Sequence, residues 1–168
     1  MRRFPDDARL DKIADRGQLG DRLLIRLADQ ISTFHEAIDP VVMNHGAGRI
    51  RRVIEGNLTS MAAFTEILAP EKSKLLSMTL LQMTAELAPL LDARARSGRV
   101  RHAHGDLHLA NIAVIDGEPT LFDCFEFSVE LATTDLLYDL AFCLWTFGTA
   151  GCVLPPISSS IAILTVVQ

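Results

Sequence analysis

The sequence predicts an α+β fold that is mostly helical. Three observations support this prediction: apolar residues recur at helical spacing as far as Gly98, two short apolar runs then flank an Asp-Gly pair, and helical spacing resumes after Thr134. Two apolar runs joined by Asp-Gly are typical of a β-hairpin. The expected order is therefore a set of helices, a loop, a hairpin and a final buried helix.

The first two helices are predicted from apolar spacing and from residues that end helices. A short helix is expected over residues 7–16, because Gly17 is a suitable C-terminal stop. A second helix is expected from Asp21 to the segment before Pro40. Its apolar residues lie three and four positions apart, as on one helix face: Leu23, Leu24, Leu27, Ala28, Ile31 and Phe34.

Two further helices are predicted before the hairpin, over residues 49–68 and 72–96. Pro89 is expected to bend or split the second of these, since proline lacks the backbone N–H of a helical hydrogen bond. Met78 and Met83 are expected to fill the core, because methionine adapts to irregular gaps.

The hairpin is predicted to pair residues 112–114 with residues 120–122, with the chain reversing at Asp116-Gly117. The last helix should begin near Thr133 or Thr134, either of which is a suitable N-cap. This helix is expected to be buried, because it contains few polar residues.

Composition excludes several classes of function. The chain of 168 residues has a net charge of -5, so it lacks the basic surface of a nucleic-acid-binding protein. Its three cysteines are widely spaced, which predicts reduced thiols in a cytoplasmic protein and neither a disulfide framework nor a zinc site. The N-terminus has no apolar stretch after its basic residues, so a signal peptide is not expected.

The C-terminal segment contains no charged residue after Asp139. A membrane-spanning helix needs about 20 consecutive apolar residues. Pro155-Pro156 and the three serines at residues 158–160 interrupt this segment. A buried helix followed by an irregular tail is therefore preferred to a membrane span.

Three polar residues flank the hairpin and suggest a chemistry. Asp106 and Asn111 precede it and Asp123 follows it, so chain reversal should bring all three to its open end. Carboxylate and amide oxygens suit Mg²⁺, which also keeps substrate phosphates as ligands. Asp106 could accept a proton from an attacking hydroxyl.

This spacing is that of the kinase catalytic loop, in which Asp-x-x-x-x-Asn precedes a metal-binding Asp. The phrase "HGDLHLAN" resembles the aminoglycoside phosphotransferase and choline kinase-like superfamily. The following "IAVIDGEPTLFDCFEF" resembles the hairpin and metal-binding Asp of that superfamily, and "DLLYDLAF" resembles its next buried helix. The resemblance implies the C-terminal lobe of a protein-kinase-like fold, with a short β-hairpin beside the catalytic loop.

The resemblance also implies roles for individual residues. Asp106 is the expected catalytic base, and Asn111 and Asp123 are expected to hold Mg²⁺ and thereby the ATP phosphates. Asp139 is expected to hydrogen-bond the catalytic loop. His104 should brace that loop through its backbone.

Gly105, between His104 and Asp106, is expected to adopt a backbone conformation that side chains resist. Its predicted contribution is therefore structural support, like that of Asp139.

The resemblance covers about residues 1–147 and leaves residues 148–168 as a divergent apolar tail. The opening "MRRFPDDARLDKIADRG" is similar to an uncharacterised bacterial branch, in which a P-loop ATPase-like domain commonly follows the kinase-like one. No Gly-x-Gly-x-x-Gly loop occurs in the sequence, and "NHGAGRIRR" is predicted to start a helix rather than to bind phosphate. The chain is therefore expected to be a C-terminal lobe without its N-terminal lobe.

Two functions follow from these expectations. The first is an ATP-dependent phosphotransferase that acts on a small-molecule hydroxyl, with this chain as one lobe. The second is a catalytically inactive pseudokinase lobe, either binding a partner or remaining as a gene remnant. The three site residues favour the first, and the missing glycine loop and lysine favour the second.

Other polar residues near these motifs have weaker predictions. His108 is as well explained by a capping role as by a place in the site. His35 and His45 are expected on helix surfaces, Cys124 is expected to be a packing residue, and Glu126 a surface carboxylate.

Overall fold

The structure, a computed structural model, describes residues 4–66, 69–125 and 129–149. These residues form two compact units. The first unit holds the described residues up to Pro40 and from Arg101 onward, and the second holds those from Val41 to Val100. The predicted site residues all belong to the first unit.

The first unit begins with a 3₁₀ turn at Asp6–Ala8 and helix α1 at Leu10–Asp15. Arg9 separates them with an extended backbone (φ -66°, ψ 144°), so the single helix predicted over residues 7–16 is divided. Gly17 has φ +65° and ends this segment, as predicted. Helix α2 spans Asp21–Glu36 and begins at the predicted residue.

The second unit contains helices α3 (Gly46–Ala62) and α4 (Pro70–Arg96). The prediction that "NHGAGRIRR" starts a helix is confirmed, although α3 begins three residues earlier than expected. A Cβ atom at Gly46 would overlap the Leu91 carbonyl, and the Ala47 N–H donates to Oδ1 of Asp92 at 3.0 Å. The small residue therefore allows α3 to meet the backbone of α4 closely.

One prediction for α4 is wrong and another is narrowed. The helix continues through Pro89 and does not split there, because one lost hydrogen bond is outweighed by the other bonds of a 27-residue helix, so only the expected bend at Pro89 stays a prediction. Met78 and Met83 are 61% and 51% exposed, so they do not fill the core. Apolar residues occur around much of α4, whereas its buried residues are only Thr84 and Ala95 among those described.

Four short strands belong to the region around the predicted site: β1 (Val100–His102), β2 (Ile112–Ile115), β3 (Glu118–Leu121) and β4 (Thr133–Asp135). Strand β2 pairs antiparallel with β3, and β1 pairs with β4. The β2–β3 register places Ile112 opposite Leu121, which confirms the predicted hairpin, although residues 112–114 pair with residues 119–121 and not 120–122. Its turn residues, Asp116 and Gly117, have φ values of +52° and +84°, as a two-residue type I′ turn requires.

Two helices complete the described chain, α5 (Val129–Ala132) and α6 (Leu136–Thr149). The prediction that Thr133 or Thr134 caps the last helix is wrong, because both lie in β4, where β-branched residues are favoured. Instead, Oδ1 of Asp135 accepts the Leu137 N–H at 2.8 Å. Asp135 thus caps α6, because its carboxylate accepts a backbone N–H of the first helical turn.

The core of the first unit joins α1, α2, the hairpin region and α6. Leu27 and Leu107 are fully buried within it, and such burial stabilises a fold by about 1.5–3 kcal/mol per leucine. The remaining buried members are Leu10, Ala14, Leu24, Ile31, Leu109, Ile112, Cys143 and Phe147. The predicted catalytic loop is therefore anchored by Leu107 and Leu109 on either side of His108.

None of the described helices combines the length and the apolar character needed to cross a membrane. Helix α6 continues to Thr149, two residues past the predicted domain boundary at residue 147. Residues 150–168, which make up most of the predicted apolar tail and include Cys152, lie outside the described residues.

Candidate active site

The predicted base and one predicted metal ligand are in direct contact. The Nδ2 atom of Asn111 donates to the carbonyl oxygen of Asp106 and to its Oδ2, each at 3.0 Å. Asn111 ends the 3₁₀ turn Leu109–Asn111 and is 6% exposed, whereas the Asp106 side chain is 42% exposed. A fixed amide thus orients a carboxylate that solvent or a substrate can reach.

Asp123 directly follows Phe122, the residue whose backbone pairs with that of Asn111. The Phe122 N–H donates to the Asn111 carbonyl at 3.0 Å, which extends the hairpin ladder by one bond. Asp123 has φ +60°, a left-handed conformation that is uncommon for residues other than glycine. Its exposed carboxylate has no hydrogen-bond or ion-pair partner among the described residues. A strained residue with an unengaged carboxylate is typical of a functional site.

Asp139 holds the backbone that precedes Asp106. Its Oδ1 accepts the Gly105 N–H at 3.0 Å, and its Oδ2 accepts the His104 N–H at 3.3 Å. The Asp139 side chain is 1% exposed, so these bonds are made away from water. Hydrogen bonds to a buried carboxylate are stronger than neutral ones, and they fix the loop at the residue before Asp106.

Gly105 has φ +78°. A Cβ atom at this position would lie 3.0 Å from the Cβ atom of Phe125 and 3.2 Å from the Cα atom of Ala132. Both the backbone conformation and the surrounding space therefore require glycine.

His104 joins the catalytic loop to the segment that contains Asp123. Its ring Nε2 lies 2.9 Å from the Phe122 carbonyl oxygen, and its own carbonyl accepts the Phe125 N–H at 2.9 Å. Because Phe122 and Phe125 bracket Asp123, these two bonds hold both ends of the short segment that presents this carboxylate.

His108 caps the 3₁₀ turn and also approaches the predicted base. Its Nδ1 accepts the Ala110 N–H at 3.2 Å, and its Nε2 lies 3.4 Å from Oδ2 of Asp106. Since Nδ1 accepts a hydrogen bond, the ring proton is on Nε2 and faces the Asp106 carboxylate. The two roles that the sequence left open for His108 are therefore compatible.

A cleft of about 220 Å³ adjoins His108. Its other lining residues are Asp11, Leu109, Ala110, Thr146 and Thr149. The Asp11 carboxylate is already paired with Arg9, at 2.7 and 3.0 Å. None of Asp106, Asn111 or Asp123 lines this cleft, so it is separate from the predicted metal ligands.

His35 is the residue that the sequence prediction misplaced most clearly. It was expected on a helix surface, but it is 3% exposed and its Nε2 lies 2.9 Å from Oδ2 of Asp139. The signal was present in the spacing, because His35 is four residues after Ile31 and eight after Leu27, on the buried face of α2.

Of the remaining candidates, the structure describes His45 and Cys124. His45 is exposed at the start of α3, as expected, and Cys124 is partly buried. Glu126 lies outside the described residues. Cys143 is buried in α6, and this burial, with a smaller effect of the Asp139 charge, raises the pKa of its thiol to about 12. Cys143 therefore stays protonated at neutral pH and is not a nucleophile.

Within the described ranges, no group of three or more His, Cys, Asp or Glu side chains could hold a metal ion. Asn111 and Asp123 nevertheless suit Mg²⁺, because this ion commonly takes one or two protein oxygens and completes its shell with phosphates and water. The Asn111 nitrogen faces Asp106, so its amide oxygen is directed away from that carboxylate.

Comparison with known proteins identifies the family. The sequence pattern described as "Phosphotransferase enzyme family" (APH) matches residues 10–154. The chain belongs to this phosphotransferase family. The match agrees with the aminoglycoside phosphotransferase and protein-kinase-like superfamily that the motifs indicated, and the observed helices and small antiparallel sheets are compatible with an α+β kinase-like fold.

Curated relatives occur in mycobacteria. The chain is 26% identical over 146 residues to a protein described as uncharacterized from Mycobacterium bovis and to others so described from two strains of Mycobacterium tuberculosis. These matches cover 84% of this chain but 29% of each relative. The chain thus spans less than a third of the length of these relatives. No solved structure gives a significant match.

Proposed function

We propose that this chain carries the catalytic loop of a phosphotransferase that uses ATP and Mg²⁺ to phosphorylate a hydroxyl group of a small molecule. The observation that supports it best is the contact between Asn111 and Asp106, together with the exposed carboxylate of Asp123, which has no partner among the described residues. In a member of a phosphotransferase family, this arrangement favours phosphoryl transfer over a purely structural role.

Asp106 is the proposed general base. Asn111 and His108 both approach Oδ2 of its carboxylate, at 3.0 and 3.4 Å, which leaves Oδ1 for an acceptor hydroxyl. In the proposed reaction, the acceptor oxygen bonds to the γ-phosphorus while the bond from that phosphorus to the β,γ-bridging oxygen breaks. The hydroxyl proton passes to Asp106, and the products are a phosphoester and ADP.

Asn111 and Asp123 are the proposed Mg²⁺ ligands. When bound, this ion supplies positive charge to the phosphate oxygens. The fit rests on the donor types, one amide oxygen and one carboxylate, and on two features of the structure. Asn111 is buried with its nitrogen fixed, and Asp123 is held at φ +60° by the hydrogen bonds on either side of it.

We also propose the kind of acceptor and the location of the protein. A small-molecule hydroxyl and a cytoplasmic enzyme are inferred from the resemblance and the composition. An ATP-holding N-terminal lobe is also part of the proposal, because phosphate binding in kinase-like enzymes needs a glycine loop and a lysine. The P-loop ATPase-like domain expected from the resemblance is a further candidate partner.

The test uses the full-length protein with ATP, Mg²⁺ and a panel of small hydroxyl compounds. ADP release is measured, and the phosphoester is detected by ³¹P NMR. Removing a general base usually costs about 10²–10⁴-fold in rate, so Asp106→Asn should reduce turnover by about that factor. Asp123→Ala should also reduce it severely, while Asp116→Ala, at the opposite end of the hairpin, should not. Equal turnover in all four proteins contradicts the proposal.

A second candidate is an inactive lobe that binds a partner. The lack of a Gly-x-Gly-x-x-Gly loop in this sequence is the observation that favours it. In that case the full-length protein should show no ADP release above background with any acceptor, and Asp106→Asn should leave partner binding unchanged.

A further inference from the structure

The cleft of about 220 Å³ beside His108 lies wholly within the first unit. His108 connects this cleft to the proposed base, because its ring lines the cleft while its Nε2 lies 3.4 Å from Oδ2 of Asp106. The cleft and the Asp106 carboxylate are therefore separated by the width of one imidazole ring and one contact. A molecule seated in the cleft can reach this carboxylate with a short side arm, since the Asp106 side chain is 42% exposed.

Three contacts hold the His108 ring in this position. Its Nδ1 accepts the Ala110 N–H at 3.2 Å, and its Nε2 faces Asp106. The ring also packs edge-on against the ring of Phe142, with centroids 5.9 Å apart and planes at 73°, an arrangement that aromatic rings prefer. His108 is therefore a fixed wall of the cleft.

The polar side chains that line the cleft are engaged with other parts of the protein. Thr146 Oγ1 donates to the Cys143 carbonyl oxygen at 2.7 Å and accepts the Leu109 N–H at 3.3 Å. Thr149 Oγ1 donates to the Thr146 carbonyl oxygen at 3.0 Å. A polar ligand gains little from groups that already have partners, because each new hydrogen bond replaces an existing one. The cleft therefore does not favour a polar ligand.

Asp11 is the acidic residue of the lining, and its charge is already paired. Its Oδ1 and Oδ2 accept from Nε and Nη2 of Arg9 at 3.0 and 2.7 Å, which is a bidentate ion pair. The Lys12 Nζ also lies 3.8 Å from Oδ2. A cationic ligand would have to compete with these two side chains for the carboxylate. The cleft therefore favours an uncharged ligand.

The walls and the volume of the cleft suit a small ring. Leu109 and Ala110 contribute apolar surface, and the surface of the cleft is mainly apolar. A protein cavity of about 150 Å³ can hold benzene. The volume here, about 220 Å³, therefore suits a six-membered ring with a short side arm. Removal of such a ring from water is favourable.

We infer that this cleft is the subsite for the body of the acceptor, and that this body is an uncharged apolar ring whose side arm carries the hydroxyl to Asp106. The assignment to the acceptor rests on the proposed function. Binding of an uncharged apolar ring in the cleft does not, and the two are tested separately.

Two matched alcohols separate charge from shape. Cyclohexylethanol has a neutral ring on a short arm, and in its piperidine analogue a charged NH₂⁺ group replaces the ring CH₂ opposite the arm. Each is titrated into the complete chain, without nucleotide, and NMR follows the amide signals of Leu109, Ala110 and Thr149. The amide of Thr33, which does not line the cleft, reports non-specific binding.

Cyclohexylethanol should shift the three cleft amides and leave that of Thr33 unchanged. Its dissociation constant should be about 1 mM or lower, as expected for a ligand of about nine non-hydrogen atoms. The piperidine analogue should bind at least about tenfold more weakly, because its charge loses water without gaining an unpaired carboxylate. Equal affinity for the two alcohols would overturn the inference.

Substitutions at Thr149, an exposed residue at the end of α6, test the location of this binding. Thr149→Phe should fill part of the cleft and weaken cyclohexylethanol binding by about tenfold. Thr149→Glu adds a carboxylate and should strengthen binding of the piperidine analogue by about fivefold. Thr33→Phe and Thr33→Glu are the controls, because the Thr33 hydroxyl also donates to a carbonyl oxygen of its own helix, that of Asp29. Similar effects at Thr33 and Thr149 would refute binding in the cleft.

Intermolecular NOEs test the orientation of bound cyclohexylethanol. Its ring protons should show NOEs to the Ala110 methyl group, and the CH₂ that bears the hydroxyl should show them to the His108 ring. A hydroxyl end remote from His108 would rule out an acceptor subsite and overturn the inference.

The full-length protein, supplied with ATP and Mg²⁺, tests the link to catalysis. The kcat/KM for cyclohexylethanol should exceed that for the piperidine analogue by about tenfold or more. Thr149→Phe should lower the kcat/KM for cyclohexylethanol by a similar factor and leave the KM for ATP unchanged. Preference for the charged alcohol would overturn the inference and leave the proposed function in place. If Asp106→Asn keeps full turnover, the proposed function fails instead, while the titrations still decide whether the cleft binds an uncharged ring.

Discussion

The Nδ2 atom of Asn111 lies 3.0 Å from Oδ2 of Asp106 and 3.0 Å from the carbonyl oxygen of the same residue. Both of these atoms are acceptors, so they fix which end of the Asn111 amide faces the loop. The amide oxygen is consequently directed away from Asp106. A single side chain thus orients the proposed base with its nitrogen and is free to meet a cation with its oxygen.

Gly105→Ala should destabilise the protein more than Gly117→Ala. Both glycines have a left-handed backbone, with φ +78° and +84°, which costs other residues about 1–2 kcal/mol. Only Gly105 also has close neighbours, at 3.0 Å from Phe125 and 3.2 Å from Ala132, whereas a Cβ at Gly117 meets nothing within 4 Å. Urea unfolding measures both free energies, and a cost at Gly117 equal to or above that at Gly105 refutes the steric argument.

Asp139→Asn should lower the free energy of unfolding by about 2–4 kcal/mol, since bonds from buried donors to a charged acceptor are worth about 1.5–3 kcal/mol each. The new amide group offers one acceptor oxygen to the His104 and Gly105 amides, which now use two. Asp29→Asn, at an exposed position of α2, is the control and should change stability by less than about 0.5 kcal/mol. Similar losses in both variants would contradict the assigned role of Asp139.

Titration of the Cys143 thiol should lower the free energy of unfolding at alkaline pH. Burial raises the pKa of its thiol from 9.0 to about 12 in the folded chain, so the unfolded chain loses this proton first as pH rises. The contribution is therefore fully present below pH 9 and is lost as pH rises toward 12.

The measurement compares urea unfolding of the wild type and Cys143→Ala at several pH values between 8 and about 11, within the window set by the shifted pKa. The alanine variant starts less stable, because it leaves a cavity, but its stability should decline less steeply with pH. Parallel declines in the two proteins would show that Cys143 does not titrate in this way.

The parts of the fold that follow from local sequence were predictable. Asp116-Gly117 between apolar runs predicted the turn and the hairpin, although the second strand lies one residue earlier than predicted, and "HGDLHLAN" identified the loop. The errors have tertiary causes. His35 was predicted on the surface because local sequence does not show a buried hydrogen-bond partner for it. That partner, Asp139, is 104 residues away in the chain.

The second unit shows the same limit. Met78 and Met83 satisfy the apolar pattern of α4, yet they are exposed, since periodicity shows which residues are apolar and not which face meets a neighbour.

In the first unit, Asp135 was missed as the cap of α6 because Thr133 and Thr134 precede it and are also good caps.

The most direct test of the central claim is to measure, by isothermal titration calorimetry, how tightly ATP binds in the presence of Mg²⁺. The proteins compared are the full-length wild type, Asp123→Ala and Asp116→Ala. Asp116 and Asp123 are both aspartates with positive φ at opposite ends of one hairpin, so they are matched in charge and backbone conformation. Loss of a metal ligand should weaken Mg·ATP binding by about tenfold or more in Asp123→Ala, a factor comparable to that seen for lost metal-site partners. Asp116→Ala should bind as the wild type does. Equal affinities in the two variants would contradict a Mg²⁺ site at Asn111 and Asp123.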